Sequence, residues 1–399
     1  MKFPISEQIR GVHFPPISEV REWAASYQPT AGRDLIDLCQ AVPDYPPAPE
    51  LAVYLQGIVA DPLTSKYSPD EGLPEVREAV CARYERIYDA RISPRQLCLT
   101  IGASQAFWLA MTTLCRAGDE VIVPLPCYFD HPMALDILGI RPVYAPFDEA
   151  TGGVVSLAAL ERLITPRTRA ILLVTPSNPT GVVTPPELIR DLHGLASRRG
   201  IALVLDETYA DFIPGMPHDL FTSPRWGDHF VQIMSFGKTY ALTGYRAGLL
   251  AASETFIHHA LKAQDTMAVC QPRITQQAIR YGVEYLDGWV DANRQMMTRR
   301  HDRFREEFAA PGNPFRLVTS GTFFAWVRHP FTGRTGREVA RRLVQEAGLL
   351  CLPGEVFGPG LTDYLRLAFG NIREETIPVA VARFREFPTG SHGAGSPAP

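Results

Sequence analysis

Between residues 96 and 235, short and nearly continuous apolar runs alternate with segments whose apolar residues recur at helical spacing. Continuous apolar strands separated by helices are typical of a parallel sheet that is covered on both faces. The pattern therefore predicts an α/β fold, and ligands of such sheets bind beyond the carboxyl ends of the strands. The predicted strands are 96–101, 121–124, 142–144, 170–175, 201–205 and 231–235, and the predicted helices between them are 102–114, 132–138, 157–163 and 186–198.

The flanking regions have other patterns. Prolines at 4, 15, 16 and 29 predict an N-terminal arm over 1–30 without long regular structure. Helices are predicted at 49–58, 73–88, 279–308, 335–347 and 374–387, and strands at 34–39, 317–327, 349–352 and 364–369. We interpret 31–48 and 296–387 as parts of a smaller α+β domain, 49–295 as the large ligand-binding domain, and 388–399 as a disordered Gly/Pro-rich tail.

Composition narrows the class of protein. The chain has 399 residues, 46% of them hydrophobic, and a net charge of −4 with no long run of one sign. This balance argues against binding to nucleic acid or to a membrane surface. The seven cysteines form no C-x-x-C pair, and no apolar run has the roughly 18 residues of a spanning helix. We expect a cytoplasmic protein with reduced thiols and without a metal site.

Polar residues follow the apolar strands at the edge where a ligand would bind. Lys238 follows the 231–235 strand, and an amine at the rim of a sheet can form a Schiff base with a carbonyl, for which pyridoxal 5′-phosphate (PLP) is the commonest cofactor. Asp206 is suited to keep the pyridine nitrogen protonated. Asn178 and Tyr209 can donate hydrogen bonds to the ring phenolate.

A phosphate requires backbone N–H groups at a helix start, hydroxyls and a fixed cation. Gly102, Ala103 and Ser104 open a predicted helix, and Ser235 and Arg246 flank Lys238. An aromatic face for the ring is available from Tyr128. Each residue also has a structural alternative: a solvated Lys238, a helix-capping Asp206, a turn-forming Asn178, a core Tyr209 and a surface-paired Arg246.

Four motifs carry a resemblance that covers nearly the whole chain: S-N-P-T-G at 177–181, D-E-x-Y at 206–209, S-x-x-K at 235–238 and T-G-x-R-x-G at 243–248. The sequence resembles the fold-type I PLP-dependent enzymes of the class I/II aminotransferase family. The resemblance implies that Lys238 is the Schiff-base lysine and proton shuttle. It also implies that Asp206 holds the pyridine nitrogen, that Asn178 and Tyr209 hold the phenolate, and that Tyr128 stacks on the ring. The residues that it implies for the phosphate are Ala103, Ser104, Ser235 and Arg246.

The resemblance also implies roles outside these motifs. Tyr67, in K-Y-x-x-x-x-G, matches the tyrosine that reaches the phosphate of the partner subunit, which implies a catalytic role for it and a homodimer. Arg366 matches the arginine that binds the substrate α-carboxylate with two parallel bonds, beside Asn178. Ala41 stands in the substrate loop where the family usually has glycine, and Gly237 where it often has serine.

The expected activity is transfer of an amino group from an L-amino acid to a 2-oxo acid. The loop over 40–47 is similar to the kynurenine/glutamine transaminase branch, which takes aromatic and sulfur-containing amino acids. The motifs leave β-elimination open, because both reactions pass through the same carbanion, and a non-catalytic PLP-sensing domain is the third alternative. The roles of His131, as pocket wall or helix cap, and of Arg273, as a partner-derived selector, stay open.

Overall fold

The computed structural model describes residues 3–29 and 33–388. Apart from Pro388, the predicted disordered tail at 388–399 lies outside the described residues. No helix of the described chain combines the length and the apolar character needed to cross a membrane.

The described part of the chain contains α-helices and strands that we number in chain order. The helices are α1 (Glu7–Gly11), α2 (Pro16–Ser26), α3 (Pro49–Ala60), α4 (Pro74–Tyr88), α5 (Gly102–Leu114), α6 (Asp130–Ile137), α7 (Leu157–Leu163), α8 (Pro186–Arg199), α9 (Phe236–Thr239), α10 (Glu254–Ala268), α11 (Arg273–Tyr285), α12 (Asp287–Ala309), α13 (Gly336–Arg342) and α14 (Thr376–Arg385). The strands are β1 (Ile36–Asp37), β2 (Leu97–Ile101), β3 (Glu120–Pro124), β4 (Arg141–Ala145), β5 (Thr168–Val174), β6 (Ala202–Asp206), β7 (Phe230–Ser235), β8 (Ala247–Ala251), β9 (Arg316–Gly321), β10 (Phe324–Arg328), β11 (Leu349–Leu350), β12 (Leu352–Pro353) and β13 (Tyr364–Leu367).

A seven-stranded sheet with the order β2-β8-β7-β6-β5-β3-β4 confirms the predicted mostly parallel architecture. Strands β3 to β7 pair in parallel, whereas β8 runs antiparallel to both β7 and β2. The carboxyl ends of β2, β3, β5, β6 and β7 therefore meet at one edge, and the start of β8 lies at the same edge. Sequence analysis did not identify β8.

Apolar side chains cover both faces of this sheet. Along β6, Leu203 and Leu205 pack in one cluster with residues of α3, α4, α8 and α11, whereas Val204 packs in another with residues of α5, α6 and α10. Successive side chains of a strand point to opposite faces. Both faces are thus buried, which explains why the strand interiors are mainly apolar. A polar exception such as Gln232 on β7 is hydrogen-bonded, here to the Tyr88 hydroxyl at 2.9 Å.

A second, antiparallel sheet has the order β12-β13-β10-β9, and β1 pairs in parallel with β11 beside it. The two main sheets meet where Gly181 faces Gly321: a Cβ on Gly181 would lie 2.3 Å from the backbone nitrogen of Gly321. The predicted domain boundaries at 48/49 and 295/296 stay predictions.

Four expectations about the elements are wrong. The strand predicted over 349–352 is two strands, β11 and β12, which pair in different sheets. The strand predicted over 317–327 is a hairpin, because Thr322 takes a positive φ of 46° and turns the chain between β9 and β10. The helix predicted over 279–308 is two helices, separated at Leu286, whose ψ of 17° leaves the helical region. The arm contains the 11-residue helix α2, which starts with Pro16. A proline is tolerated at the first helical position, because the backbone N–H that it lacks would have no acceptor within the helix there.

Candidate active site

A cavity of about 270 Å³ lies at the carboxyl edge of the seven-stranded sheet. Segments that follow β2, β3, β5, β6 and β7 contribute walls at this edge, and β13 contributes one from the second sheet. The sequence-predicted residues that the structure brings together in its lining are Ala41, Ala103, Ser104, Tyr128, Asn178, Asp206, Tyr209, Ser235, Lys238, Arg246 and Arg366.

Lys238 lies on α9, a single helical turn directly after β7. The Ser235 hydroxyl caps this turn by accepting a hydrogen bond from the backbone N–H of Gly237 at 3.2 Å. The Lys238 ammonium donates to the carbonyl oxygen of Ala41 at 2.5 Å. Burial, and then the charges of Arg246 and Arg366, lower the pKa of Lys238 from 10.5 to about 8. A solvated surface lysine is therefore excluded, and the amine is prepared for nucleophilic chemistry.

Asp206 is the last residue of β6 and is 5% exposed. Its Oδ1 accepts a hydrogen bond from the backbone N–H of Thr208 at 3.0 Å, which closes a local turn and caps no helix, so the helix-capping alternative is not realised. Its Oδ2 lies 3.3 Å from Nε2 of His131. The His131 ring packs on Phe107 at a centroid distance of 4.3 Å, and its Nδ1 has no partner among the described residues.

His131 thus adjoins the carboxylate, a position that sequence analysis left open. The available signal was its place three residues after Tyr128: the His131 N–H donates to the Tyr128 carbonyl oxygen at 3.1 Å in the turn that leads into α6. The rings of Tyr128 and His131 meet edge to face at 5.3 Å. The Tyr128 hydroxyl donates to Oδ2 of Asp130 at 2.5 Å.

The N-terminus of α5 and Arg246 form a concave surface of hydrogen-bond donors. Gly102 takes a positive φ of 74°, and a Cβ there would lie 2.5 Å from Nη2 of Arg246. A Cβ on Gly248 would lie 2.3 Å from the carbonyl carbon of Gly102. The two glycines therefore create the room in which the guanidinium adjoins the helix start. Arg246 has no acidic partner in the described chain, and its Nη1 donates to the carbonyl oxygen of Thr243 at 3.1 Å.

Arg366 enters the cavity from β13 of the second sheet. Its Nη1 donates to Oδ1 of Asn178 at 3.4 Å, and its Nη2 donates to the carbonyl oxygen of Cys39. The guanidinium lies 5.1 Å from the ring centroid of Phe324 and 5.5 Å from that of Phe357. Burial lowers the pKa of Arg366, and its Nε has no partner among the described residues. The buried guanidinium of Arg366 therefore still has an N–H group that can donate a hydrogen bond to a ligand.

Two predicted residues do not line the cavity. Gly102 acts only through the space it leaves, and Tyr67 is 78% exposed on the outside of the chain. The carbonyl oxygen of Tyr67 accepts a hydrogen bond from Nη2 of Arg273 at 3.1 Å, so Arg273 fixes the backbone of this loop. Tyr209 lines the cavity and also packs on Phe324 at 5.1 Å, so its predicted alternative as a core residue is partly realised.

The residues present fit PLP. The donors of the α5 start and Arg246 suit a phosphate, the Lys238 amine suits an aldehyde, and the Asp206 carboxylate suits a protonated ring nitrogen. The unpartnered Nε of Arg366 and Nδ1 of His131 show buried donor capacity that the protein itself leaves unused. A parallel α/β sheet with this set at its carboxyl edge defines the class of fold-type I PLP-dependent enzymes.

Comparison with known proteins agrees with the class. The family profile described as aminotransferase class I and II matches residues 33–384. The chain belongs to this family, whose members use PLP, and it is a PLP-dependent aminotransferase.

Relatives match over nearly the full length. The chain is 29% identical over 390 residues to the aromatic aminotransferase ISS1 of Arabidopsis thaliana, which covers 96% of this chain and 95% of the relative. It is 27% identical over 349 residues to an aspartate aminotransferase of Pyrococcus abyssi, over 86% and 89% of the two chains. The structure of Thermus thermophilus aspartate aminotransferase with maleate superposes with a TM-score of 0.87 at 26% identity, over 96% and 99% of the chains.

Proposed function

We propose that this aminotransferase moves an amino group between an L-amino acid and a 2-oxo acid, and that Lys238 binds the cofactor and moves the proton. The observation that carries the proposal is the buried Lys238 amine, which shares one cavity with Asp206, Arg246 and Arg366. When bound, PLP supplies an electron sink for the carbanion at the substrate Cα.

Lys238 serves as the base at Cα. A general base works best when its pKa lies near the working pH. The lowered pKa of about 8 leaves a substantial neutral fraction of Lys238 near neutrality. A lysine with the ordinary pKa of 10.5 would be almost fully protonated at the same pH.

Asp206 holds the ring nitrogen of the cofactor. Its Oδ1 is occupied by the Thr208 N–H, and His131 stands against Oδ2. The carboxylate is therefore fixed in one orientation, and its charge favours a protonated pyridine. Asn178 follows β5 and Tyr209 follows β6, and both hold the phenolate oxygen of the cofactor ring.

The phosphate contacts come from the start of α5, Ser104, Ser235 and Arg246. Arg366 binds the substrate α-carboxylate in place of its present acceptors, Asn178 and the Cys39 carbonyl. The planar fork of a guanidinium fits a carboxylate with two parallel bonds. Tyr128 supplies the aromatic face for the ring.

The preferred substrate has a large neutral side chain. The lysine and the two arginines in the described lining of the cavity, Lys238, Arg246 and Arg366, already have assigned roles, so this chain offers no further Lys or Arg to a second carboxylate. The rest of the lining is rich in apolar and aromatic side chains: Ile17, Val42, Phe107, Trp108, Phe129 and Ala134. This preference agrees with the similarity of the 40–47 loop to the kynurenine/glutamine branch.

A homodimer completes each site with Tyr67 of the other subunit. In support, Tyr67, Leu63 and Tyr285 expose 78%, 58% and 67% of their surface. Mixing inactive Lys238→Ala and Tyr67→Ala subunits tests this, because a mixed dimer then contains one intact site. Activity that returns on mixing supports the exchange, and activity that stays absent while mixed dimers form overturns it.

We also propose a cytoplasmic location. The thiols of Cys98 and Cys127 are buried, and burial raises the pKa of each to about 12. Buried, unreactive thiols are typical of proteins from a reducing compartment.

Half-reaction spectroscopy tests the activity. Phenylalanine, methionine, glutamine and aspartate are added singly to the purified enzyme, and conversion of its visible PLP absorption to that of pyridoxamine phosphate is followed. We expect rapid conversion with the first three and slow conversion with aspartate. Lys238→Ala should show no conversion. Ammonia and a 2-oxo acid formed without any amino acceptor from a β-substituted amino acid would show elimination and overturn the proposal.

A further inference from the structure

A buried group of three side chains lies behind the turn that carries Lys238. The Asp211 carboxylate accepts a hydrogen bond through Oδ2 from the Thr239 hydroxyl at 2.5 Å, and its Oδ1 pairs with Nη2 of Arg83. Arg83 comes from α4 and is 4% exposed, and Thr239 is 2% exposed. We call this group the Arg83–Asp211–Thr239 clamp. None of its members lines the cavity.

The charges of the clamp are mutually satisfied. Burial by itself would lower the pKa of Arg83, but the Asp211 carboxylate more than compensates and the pKa is raised. The guanidinium also lies 5.9 Å from the ring centroid of Phe236, on the same turn as Lys238. Breaking a buried pair is costly, so the Asp211 carboxylate has a fixed position.

The clamp joins two parts of the active site. Asp211 follows Tyr209 by two residues, and Thr239 is the residue after Lys238. Helix α9 has only four residues, and one isolated turn has little stability of its own. Its orientation therefore depends on tertiary contacts. Successive helical residues point about 100° apart, so a bond that fixes Thr239 on one side also fixes the direction of Lys238 on another.

We propose that Asp211, held by Arg83, is a positioning residue that sets the place of the Lys238 amine relative to Tyr209 and Asp206 through the Thr239 hydroxyl. The inference rests on the proposed role of Lys238. Arg83 and Asp211 do not touch the reacting atoms: Asp211 acts through Thr239, and Arg83 acts by holding Asp211 and by lying against Phe236 on the same turn.

The test removes the hydroxyl and keeps the shape, in Thr239→Val. Thr239→Ser retains the hydroxyl and should restore function. The matched control is Thr168→Val: Thr168 is 1% exposed, and its hydroxyl accepts from the Thr165 N–H at 2.9 Å at the opposite end of the sheet. Three quantities are measured: kcat and KM, the pH midpoint of the visible absorption of bound PLP, and hydrogen exchange of residues 235–245 in the full chain without PLP.

For Thr239→Val we expect kcat to fall about ten- to a hundredfold with KM nearly unchanged, because misplacement of a reacting group by ~1 Å has an effect of that size. The pH midpoint should shift by about half a unit or more, because the surroundings of the amine change. Exchange in 235–245 should become faster. Thr168→Val should lower the melting temperature and leave kcat, the midpoint and this exchange unchanged.

Wild-type kcat and pH midpoint in Thr239→Val would overturn the inference, and so would equal losses in Thr239→Ser and Thr239→Val. If Thr239→Val does not fold, Thr239→Ala is measured in the same way and decides. Failure of the wild type to transaminate any amino acid would overturn the proposed function instead. The exchange experiment, which needs no activity, would still decide whether the clamp orders α9.

Discussion

The buried Lys238 amine predicts an unusual dependence of stability on pH. In the chain prepared without PLP, we consider Lys238→Met, which keeps the length of the side chain and removes the charge. A pKa lowered from 10.5 to about 8 corresponds to a cost of roughly 3 kcal/mol for the buried ammonium, at ~1.36 kcal/mol per pKa unit. The variant also loses the hydrogen bond to the Ala41 carbonyl, which costs about 1 kcal/mol at every pH.

The sign follows from proton binding. Unfolded Lys238 keeps its proton up to about pH 10.5, whereas folded Lys238 loses it above about pH 8. Between these values the unfolded wild type binds more protons, so its free energy of unfolding rises with pH. Below pH 8 the whole penalty is present, and it disappears near pH 10.5. The stability advantage of Lys238→Met over wild type should therefore shrink by roughly 3 kcal/mol from pH 7 to pH 10.5.

The assay is urea unfolding of both proteins at several pH values, followed by tryptophan fluorescence. Lys262→Met, at an exposed lysine on α10, reports the effect of the same replacement on the surface. Only the difference between variant and wild type is used, because other groups titrate equally in both. A difference that does not change with pH, or that changes in the opposite direction, would refute the assignment of a buried, charged amine.

Three further predictions concern the other walls of the site. Arg366→Lys keeps the charge but loses the fork, so kcat/KM should fall about ten- to a hundredfold, mainly through KM and for amino acid and oxo acid alike; an unchanged KM would contradict carboxylate binding. His131→Phe keeps the packing on Phe107 but removes the contact with Asp206, so kcat should fall while PLP stays bound, as steady-state kinetics and absorbance will show. Gly248→Ala places a methyl 2.3 Å from the Gly102 backbone and should weaken PLP binding at least about tenfold. The control Gly244→Ala, with no atom within 4 Å of its Cβ, should leave PLP binding unchanged. Equal PLP affinities of the two variants, measured by titration, would contradict the close approach.

Much of the sheet and of the site could be predicted because burial leaves a local signal. Strands buried on both faces are mainly apolar, so the polar residues that follow each run mark the binding edge, as at Asn178, Asp206 and Lys238. The predicted helix over 157–163 agrees with α7. The roles of the individual residues stay predictions until variants are measured.

The remainder depends on contacts between distant parts of the chain. Strand β8 is only five residues of Ala, Gly and Leu, which do not distinguish a strand from a helix without its neighbours β2 and β7. No Gly or Pro stands at 283–287 to mark the helix break at Leu286 in the sequence. Arg83 and Asp211 are 128 residues apart, and neither has a pattern around it that predicts the other.

The junction of Gly181 with Gly321 has a consequence for redesign. A methyl on Gly321 would lie 2.2 Å from the Gly181 carbonyl oxygen, so main chain rests on main chain and no side-chain volume separates the two bodies. Asn178 precedes this junction by three residues, and the hairpin beyond it pairs with the strand that bears Arg366. The distance between the Asn178 amide and the Arg366 guanidinium is therefore fixed by contact between two backbones. Variants designed for bulkier amino acids should replace Ile17 and Val42 in the cavity lining with smaller residues, and should keep both glycines of the junction.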